Sequence, residues 1–319
     1  MALNSPDSVR FTSYNTRDLF ETKSLRDQEH YSNVIQVIRG VRPGVLAVQE
    51  IKGKPGHALH WLRTLAYDTG MTCDVPPDGR GKPRAALALG SRGFHSGLLW
   101  RREIEVVPGS FGQSGPDRLW HSAGWATFRL GERLVRHASF HATPFDRDLR
   151  TRENSVLLAL LADGADASLP LLIGADWNAE SADLVPDEAS GALSLYEPGD
   201  PFAGASWRED MIHQCCTEQD QDSGERRHWV DRSAGQVLVD GGLTDAAAAL
   251  RAPWQATCGH DPGDGYGSLG IMRRIDAIRV SHHLLPALRS YRVADSDLTR
   301  RASDHLPVSV DYDPAAITD

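Results

Sequence analysis

Two short apolar runs, each ending in a carboxylate, constrain the fold of this chain most. They are Val45-Leu-Ala-Val-Gln-Glu50 and Leu169-Pro-Leu-Leu-Ile-Gly-Ala-Asp176. Apolar residues occupy consecutive rather than alternate positions, which indicates strands that are buried on both faces. Strands of this kind have other elements packed against each face, so the sequence predicts a layered fold.

The segments around these runs alternate between strand and helix patterns. Apolar and polar residues alternate from Val9 to Asn15, which predicts a first strand, and apolar residues recur at helical spacing in 24–39, 57–66 and 147–161. Further strands are predicted at 97–101, 124–128, 134–141, 274–281 and 307–312. Some strands are close enough for hairpins and others are separated by a helix, which predicts an α/β fold.

Most of the predicted strands end at a side chain that can bind a metal ion or transfer a proton. Strand ends meet along one rim of a sheet, where α/β enzymes usually bind their ligands. Hydrolysis of a phosphate ester needs hard oxygen ligands for Mg²⁺ or Mn²⁺, donors for the developing negative charge, and a group that orients a water. The strand-end residues supply all three: Asn15, Glu50, His141, Asp176, Asn178 and Asp276, with Asp304 and His305 directly before the last strand.

Each of these residues also has an ordinary structural explanation when it is considered alone. The residues from Gly174 to Asn178 could form only an Asx turn after a strand, and His141 could be a hydrogen-bonded core histidine. The remaining acids could be solvated, cap a turn or form a loop ion pair. The occurrence of all of them at strand ends favours an active site.

Composition and charge limit the possible partners and surroundings. The 319 residues include 34 basic and 43 acidic side chains, and this net charge of -9 gives no global attraction for a long polyanion. A nucleic-acid substrate stays possible, because metal ions and a few arginines can make a cleft locally positive. The four cysteines do not have the spacing of a disulfide framework, and no apolar segment reaches membrane-spanning length. We therefore expect a soluble cytoplasmic protein with no membrane insertion and no obvious protein partner.

The order and spacing of the motifs resemble the endonuclease/exonuclease/phosphatase superfamily, which has the DNase I-like fold. The resemblance runs from about Val9 to Tyr312, and although each motif alone is weak, the ordered series is specific. The matching motifs are Tyr14-Asn15, Gln49-Glu50, Gly97-Leu-Leu-Trp-Arg101, Phe140-His141, Arg150-x-x-Glu153-x-x-x-Leu157, Gly174-Ala-Asp176-Trp-Asn178, Arg274-Ile-Asp276 and Ser303-Asp304-His305-Leu-Pro307.

This resemblance implies a four-layer α-β-β-α sandwich, in which two mixed β-sheets are flanked by helices, as one catalytic domain over residues 1–319. It also implies a divalent metal, Mg²⁺ or Mn²⁺, at the rim of the sheets. Glu50 resembles the principal metal ligand of the family, and Asn15 and Asp304 lie near the metal, directly or through water.

The resemblance assigns catalytic roles to the other strand-end residues. Asp176 and Asn178 resemble the pair that orients the attacking water and the phosphate oxygens. His305, polarised by Asp276, resembles the imidazole that acts on the phosphate or as the base. His141 resembles a second histidine of the phosphatase and DNase I-like branches, and no single general base is assigned.

Arg150 is a further candidate that lies on the helix after His141. It could bind a substrate phosphate, or it could form a surface ion pair with Asp146 or Glu153.

Several positions depart from the pattern of the family. Ser139 stands where many members have asparagine, and no carboxylate precedes Gly97 to pair with His141 as in DNase-like members. Abasic-site nucleases carry tyrosine where this chain has His141. The sequence thus favours a phosphodiesterase or phosphatase acting on a phosphate ester, with a DNA or RNA nuclease as the alternative. A catalytically inactive binding scaffold is an alternative of another class, and the presence of the acidic and imidazole residues argues against it.

Three features lie outside these motifs. Residues 186–236 change to a polar composition with poor periodicity, which predicts a loop insertion that sets the substrate together with the loop Gly259–Gly270. Four aromatic residues near these segments could stack on a base or sugar, or pack beneath the loops: Trp207, Trp229, Trp254 and Tyr266. A group of histidines and cysteines has the ligand types for zinc, but its spacing fits no standard module: His213, Cys215, Cys216, Cys258 and His260.

Overall fold

Two mixed β-sheets of seven strands each lie face to face in the computed structural model, with helices on their outer sides. The structure describes residues 8–19, 24–163, 168–187, 190–220, 224, 226–260 and 270–318. The arrangement confirms the four-layer sandwich that was predicted from the sequence.

The strands of the described residues are β1 (Val9–Leu19), β2 (Val45–Lys52), β3 (Met71–Thr72), β4 (Asp74–Val75), β5 (Arg84–Ala85), β6 (Leu87–Ala88), β7 (Phe94–Arg101), β8 (Glu105–Val106), β9 (Gly112–Ser114), β10 (Ser122–Leu130), β11 (Arg133–His141), β12 (Leu171–Asp176), β13 (Leu184–Pro186), β14 (Leu193–Leu195), β15 (Cys215–Gln219), β16 (Arg226–Val230), β17 (Leu243–Asp245), β18 (Asp276–Ser281), β19 (Leu288–Val293) and β20 (Val308–Tyr312).

The α-helices are α1 (Leu25–Val41), α2 (Pro55–Asp68), α3 (Arg147–Leu161), α4 (Ser233–Asp240), α5 (Ala246–Ala249) and α6 (Asp297–Ala302). Short 3-10 helices cover Ser91–Gly93, Glu209–His213, His282–Ala287 and Pro314–Ala316. Within the described part of the chain, no helix is long and apolar enough to cross a membrane.

Each sheet is built around one central pair of parallel strands. In the first sheet the order is β19-β20-β1-β2-β7-β3, with β6 also paired to β7, and β1 runs parallel to β2. In the second sheet the order is β17-β18-β12-β11-β10-β8, with β9 paired to β10, and β11 runs parallel to β12. The regular parallel pairing of β1 with β2 runs as far as Asn15 and Gln49, next to Glu50, and β11 and β12 end at His141 and Asp176, so each pair delivers polar residues to one edge.

Apolar side chains form three layers of core. The central layer lies between the sheets and contains Phe11, Trp100 and Phe128. A second layer joins the first sheet to α1 and α2, and a third joins the second sheet to α3 and α4. Strand β2 sends Val45 and Ala47 to the central layer and Leu46 and Val48 to the outer one. This two-sided burial explains the consecutive apolar residues in its sequence.

The predicted elements agree with the main strands and helices to within a few residues. The helix predicted at 147–161 coincides with α3, and the one predicted at 57–66 extends to Pro55–Asp68 because Pro55 occupies its first turn. The short strands β3 to β6, β8 and β9 were not predicted. Most are only two residues long, so they carry no periodicity of their own.

The described part of 186–236 is more ordered than its composition suggested. It contains the hairpin strands β15 and β16, and a small apolar cluster formed by Phe202, Met211 and Cys215. The hairpin of β13 and β14 begins just before it. Tyr266 and most of the loop Gly259–Gly270 lie outside the described residues.

Gly174 provides a test of how closely the two sheets approach. A Cβ atom at this position would lie 2.8 Å from the Cβ of Ser13 and 3.1 Å from that of Ala47, both in the opposite sheet. We expect Gly174→Ala to lower the free energy of unfolding by about 1–3 kcal/mol in urea titrations, since neither neighbour can rotate away.

Gly40 in helix α1 is the matched control, because a Cβ atom there meets nothing within 4 Å. Gly40→Ala should raise stability by about 0.5–1 kcal/mol. Equal effects of the two substitutions would contradict the close approach of the sheets.

Candidate active site

Acidic and imidazole side chains converge where the central strands of both sheets end. Two groups have ligand atoms that all lie within 4.8 Å of one another: Glu50, His141 and Asp176 form one, and Asp176, Asp276 and His305 form the other. Asp176 belongs to both groups. Five of the sequence candidates thus lie in one continuous site.

Asn15 connects the two sheets at this site. Its Nδ2 atom donates to Glu50 Oε1 at 3.0 Å and to Asp176 Oδ2 at 2.9 Å, and its Oδ1 atom accepts from the backbone N–H of Arg17 at 3.0 Å. The side chain is fully buried. Asn15 therefore holds the carboxylates of Glu50 and Asp176 side by side and offsets the repulsion between them.

Glu50 occupies an irregular point in strand β2. Its φ is 63°, and the pairing of β2 with β7 shifts register between Val48 and Ile51. Non-glycine residues rarely adopt this conformation, and such strain is concentrated at functional sites. Burial, together with the negative charge of Asp304, raises the pKa of Glu50 to about 7, although the hydrogen bond from Asn15 opposes the rise.

Asp176 and Asn178 form a tight turn directly after strand β12. The backbone N–H of Asn178 donates to Asp176 Oδ1 at 2.9 Å, and its side chain donates to the carbonyl of Ala142 at 3.0 Å. This is the Asx turn that was considered as an ordinary explanation. The same turn leaves Asp176 Oδ2 directed at Asn15 and at the two histidines, so the structural and functional explanations are compatible.

His305 is held by Asp276, as the sequence predicted. The Nδ1 atom of His305 lies 2.8 Å from Asp276 Oδ2, and its Nε2 atom lies 3.9 Å from Asp176 Oδ2. Burial lowers the pKa of His305, but the two carboxylates outweigh burial and hold that pKa well above its ordinary value. His305 is therefore a cation at neutral pH and can donate from Nε2 towards the site.

The hydroxyl groups of Ser303 and Thr257, which were not among the predicted site residues, hold the backbone of His305 and Asp276. Ser303 Oγ accepts from the backbone N–H of His305 at 3.1 Å and donates to the carbonyl of Asn15 at 2.9 Å. Thr257 Oγ1 accepts from the backbone N–H of Asp276 at 3.1 Å. Ser303 was visible in the last motif, whereas Thr257 lies in an irregular segment that gave no signal.

His141 has a different environment from His305. Its Nε2 atom lies 3.4 Å from Asp176 Oδ2, and its ring stacks on His121 with centroids 4.1 Å apart and an interplanar angle of 12°. Burial lowers the pKa of His141 to about 4, so this imidazole is neutral at neutral pH. Asp176 is therefore the carboxylate beside His141, and the ring of His121 packs against the imidazole.

Gln49 explains how the site tolerates Ser139. The amide of Gln49 crosses between the sheets and donates to Ser139 Oγ at 3.1 Å and to the carbonyl of Gly174 at 3.3 Å. Ser139 in turn donates to the carbonyl of Val48 at 3.1 Å. These bonds tie β2 to β11 and β12 immediately beneath the site.

Asp304 occupies a more peripheral position than the other acids. It belongs to neither of the two close groups of side chains, and its Oδ1 atom accepts a hydrogen bond from Ser303 Oγ at 3.4 Å. Its charge nevertheless contributes to the raised pKa of Glu50. A metal ligand role for Asp304 stays a prediction.

The structure places Arg150 in the interior rather than in a surface ion pair. This side chain is only 2% exposed, and its guanidinium donates to the backbone carbonyls of Thr143, Pro144, Asn178 and His213. Four of its five N–H donors are thus bonded to the backbone, which favours a structural role. A role in substrate binding stays a prediction.

The structure also shows the surroundings of the zinc candidates and of three of the aromatic residues. No cluster of the histidines and cysteines that were considered for zinc is found within the described ranges, and all four cysteines are free thiols. Trp207 carries the guanidinium of Arg226 on its ring, and the indole N–H of Trp254 donates to Glu197. Trp229 is partly exposed.

The donor set fits a divalent cation. Glu50 and Asp176 bring carboxylate oxygens together, and the raised pKa of Glu50 shows that negative charge at this point is not fully compensated by the protein. Oxygen ligands of this kind are the ones that Mg²⁺ and Mn²⁺ prefer. Glu50 and Asp176 would hold the ion, with Asn15 and Asp304 beside them.

Glu50 should make the stability of the metal-free protein depend on pH. Because its pKa in the folded protein is raised from 4.5 to about 7, its stabilising contribution is present below the ordinary pKa and is lost as pH rises through about 7. Between about pH 5 and about pH 8 in EDTA, the free energy of unfolding of the wild type should fall relative to Glu50→Gln, by roughly 1 kcal/mol or more. Parallel pH profiles of the two proteins would contradict this assignment.

Arg150 should behave as a structural residue. Arg150→Gln leaves several buried carbonyls without donors, so we expect a loss of roughly 2–4 kcal/mol in the free energy of unfolding. Arg152→Gln on the exposed face of the same helix is the control and should change stability by less than about 0.5 kcal/mol. An Arg150→Gln protein of wild-type stability would restore the substrate-binding hypothesis.

The chain is similar to known proteins over most of its length. The model of the endonuclease/exonuclease/phosphatase family matches residues 12–305. No curated protein sequence matches the chain. Among solved structures, it is similar to the endonuclease/exonuclease/phosphatase from Bacteroides vulgatus, with 16% identity and a TM-score of 0.60, covering 95% of this chain and 98% of that chain.

Two further similar structures carry more specific names. A mannosyl-6-phosphatase from Bacteroides thetaiotaomicron has 17% identity and a TM-score of 0.53, covering 95% of this chain and 98% of that chain. The human nocturnin catalytic domain with a bound sulfate anion has 16% identity and a TM-score of 0.52, covering 96% of this chain and 94% of that chain. At these identities the similarity shows the fold alone, whereas the match over residues 12–305 establishes that the chain belongs to the endonuclease/exonuclease/phosphatase family.

Proposed function

We propose that this protein is a divalent-metal-dependent phosphoesterase, a phosphodiesterase or a phosphatase, that hydrolyses a phosphate ester by in-line attack of water. The observation that carries the proposal is the pair of overlapping side-chain groups that share Asp176 at the ends of the central strands. Hard oxygen donors, a cationic imidazole and a neutral imidazole lie together there, and this combination suits a phosphoryl group that gains negative charge.

A metal held by Glu50 and Asp176 would supply Lewis-acid polarisation of a phosphate oxygen and lower the charge repulsion around it. Mg²⁺ and Mn²⁺ are the ions that the oxygen donors favour. Asn15 holds the carboxylates of Glu50 and Asp176 next to each other through hydrogen bonds of 3.0 and 2.9 Å.

The remaining side chains would act on the substrate directly. Asp176 and Asn178 would orient the water and the phosphate oxygens. His305, kept protonated by Asp276, would donate a hydrogen bond to a phosphate oxygen as charge develops on it. His141 is neutral and could either donate a hydrogen bond or accept a proton, so the residue that takes the proton from water is left open.

The segment 186–236 is the part that we propose selects the substrate. The carbonyl of His213 accepts a hydrogen bond from Arg150, which also holds the carbonyl of Asn178 at the active-site turn. The segment therefore borders the catalytic residues on one side. A cytoplasmic location, supported by the four free thiols, completes the proposal.

Hydrolysis of p-nitrophenyl phosphate and bis(p-nitrophenyl) phosphate tests the function. We expect activity with Mg²⁺ or Mn²⁺ that EDTA abolishes, and Glu50→Gln and His305→Ala should each lower kcat about 100-fold or more. Glu132→Gln is the control, because this exposed carboxylate lies in the turn between β10 and β11, at the opposite end of those strands from His141. Full activity in Glu50→Gln and His305→Ala would reject the proposal.

A substrate panel then separates the candidates within the family. It should contain single-stranded DNA, duplex DNA, RNA, inositol phosphates and phospholipid head groups. A nuclease that contacts several phosphates should lose activity steeply as salt increases, whereas an enzyme for a small phosphate ester should lose little.

A further inference from the structure

Among the described residues, five arginines are buried, and Arg273 differs from the other four. Arg274 pairs with Glu197 and Asp245, and Arg279 pairs with Asp183. Arg150 donates to backbone carbonyls, as described above, and Arg136 donates to the carbonyl of Leu161 at 2.8 Å.

For the guanidinium of Arg273, no hydrogen bond or ion pair is recorded with any part of the chain that the structure describes. The side chain is only 5% exposed, and its Nε atom is fully buried without a partner. A buried charge that is neither paired nor hydrogen-bonded is strongly unfavourable. Such an arrangement persists in a folded protein when a ligand of opposite charge completes it.

The terminal nitrogens of Arg273 are better placed than Nε to meet a ligand. They also have no hydrogen-bond partner among the described residues and, unlike Nε, they are not fully buried, so they keep some contact with solvent. A guanidinium with its stem buried and its outer nitrogens open presents two parallel N–H donors, which is the geometry that matches two oxygens of a phosphate.

The backbone places Arg273 beside the proposed active site. Arg273 forms a β-bridge with Cys258, and Cys258 forms a second bridge with His305. Arg273 also lies three positions before Asp276 in the chain. These connections put the start of the Arg273 side chain two strand spacings from His305, with Cys258 between them.

The electrostatic effects of Arg273 on neighbouring groups indicate where its guanidinium lies. Burial raises the pKa of the Cys258 thiol to about 11, and the charges of Arg273 and His305 oppose that rise. Burial lowers the pKa of Arg150 to about 10, and Arg273 adds to the lowering while Asp176 opposes it. The guanidinium thus lies within electrostatic range of Cys258, of Arg150 beside the Asn178 turn, and of Cys215 in segment 186–236.

We propose that Arg273 binds a phosphate oxyanion of the substrate at the side of the active site that faces segment 186–236. It takes the role that the sequence suggested for Arg150, whose donors are used by the backbone. The nature of the ligand as a substrate phosphate rests on the proposed function, whereas the affinity of this position for an oxyanion does not.

Thermal unfolding in EDTA, with and without inorganic phosphate at constant ionic strength, tests the oxyanion site without any need for catalysis. Phosphate should raise the Tm of the wild type, and Arg273→Gln should weaken phosphate binding about tenfold or more. Without phosphate, Arg273→Gln should unfold at the wild-type Tm or higher, because the substitution removes an unpaired buried charge. Arg273→Lys should keep part of the phosphate response.

Arg274→Gln is the matched control, since it removes a buried arginine that has two carboxylate partners. It should lower the Tm markedly. If Arg273→Gln lowers the Tm as much or fails to fold, the guanidinium has a structural partner, of which the buried carboxyl of Glu180 is the first to consider, and the proposal is wrong. An equal phosphate response in wild type and Arg273→Gln would also overturn it.

Kinetics with matched substrates identify which phosphate is bound. Arg273→Gln should raise KM about tenfold for ribose 5-phosphate and ribose 1,5-bisphosphate alike if the scissile phosphate is the ligand, or only for the bisphosphate if a second phosphate is. An unchanged KM for both, in an active enzyme, contradicts the proposal. If neither compound nor the nitrophenyl esters are hydrolysed, the proposed function fails, and the phosphate titration in EDTA still decides the oxyanion site.

Discussion

The close contact between the central strands of the two sheets is the constraint on which the rest of the structure depends. Gly174 faces Ser13 and Ala47 at distances that leave no space for a side chain, and the amide of Gln49 spans the sheets directly beneath. Asn15 and Glu50 come from one sheet, and His141, Asp176 and Asp276 come from the other. The distances within the site are therefore set by the packing of the sheets, which small residues at this contact make possible.

The buried charges of the protein divide into two kinds. Arg274 is paired on both sides, with distances of 2.5 Å to Glu197 and to Asp245, and it joins segment 186–236 to strands β17 and β18. Glu50 is instead buried near Asp304, which raises its pKa, and the guanidinium of Arg273 has no hydrogen bond or ion pair among the described residues. Charges of the second kind destabilise the free protein and are stabilised by a bound ion or ligand, so they mark where function has been favoured over stability.

The two active-site histidines illustrate how the surroundings divide chemical roles. Both imidazoles approach the same oxygen of Asp176, yet His305 also has Asp276 beside it, whereas His141 is stacked on His121. One ring is consequently a cation at neutral pH and the other is neutral. A site with both forms can donate hydrogen bonds to developing charge and still offer an acceptor for a proton.

The sequence by itself determined the layered architecture and the candidates at the strand ends. Consecutive apolar residues in β2 and β12 required layers on both faces, and the positions of Glu50 after the apolar run of β2 and of Asp176 at the end of β12 followed from local pattern alone. Chain order and motif spacing were enough to suggest the family, because its motifs recur in a regular series. The Asp276–His305 contact also followed from that series.

Only the tertiary structure decided which side chains are bonded within the protein and which keep donors open to a ligand. Arg150 and Arg273 are both arginines near motif residues, and nothing in their local sequence shows that one donates to backbone carbonyls while the guanidinium of the other has no partner among the described residues. The stacking of His121 on His141 and the support of Asp276 by Thr257 join residues that belong to different segments of the chain. Such contacts depend on how the layers pack, and packing has no signature within a short stretch of sequence.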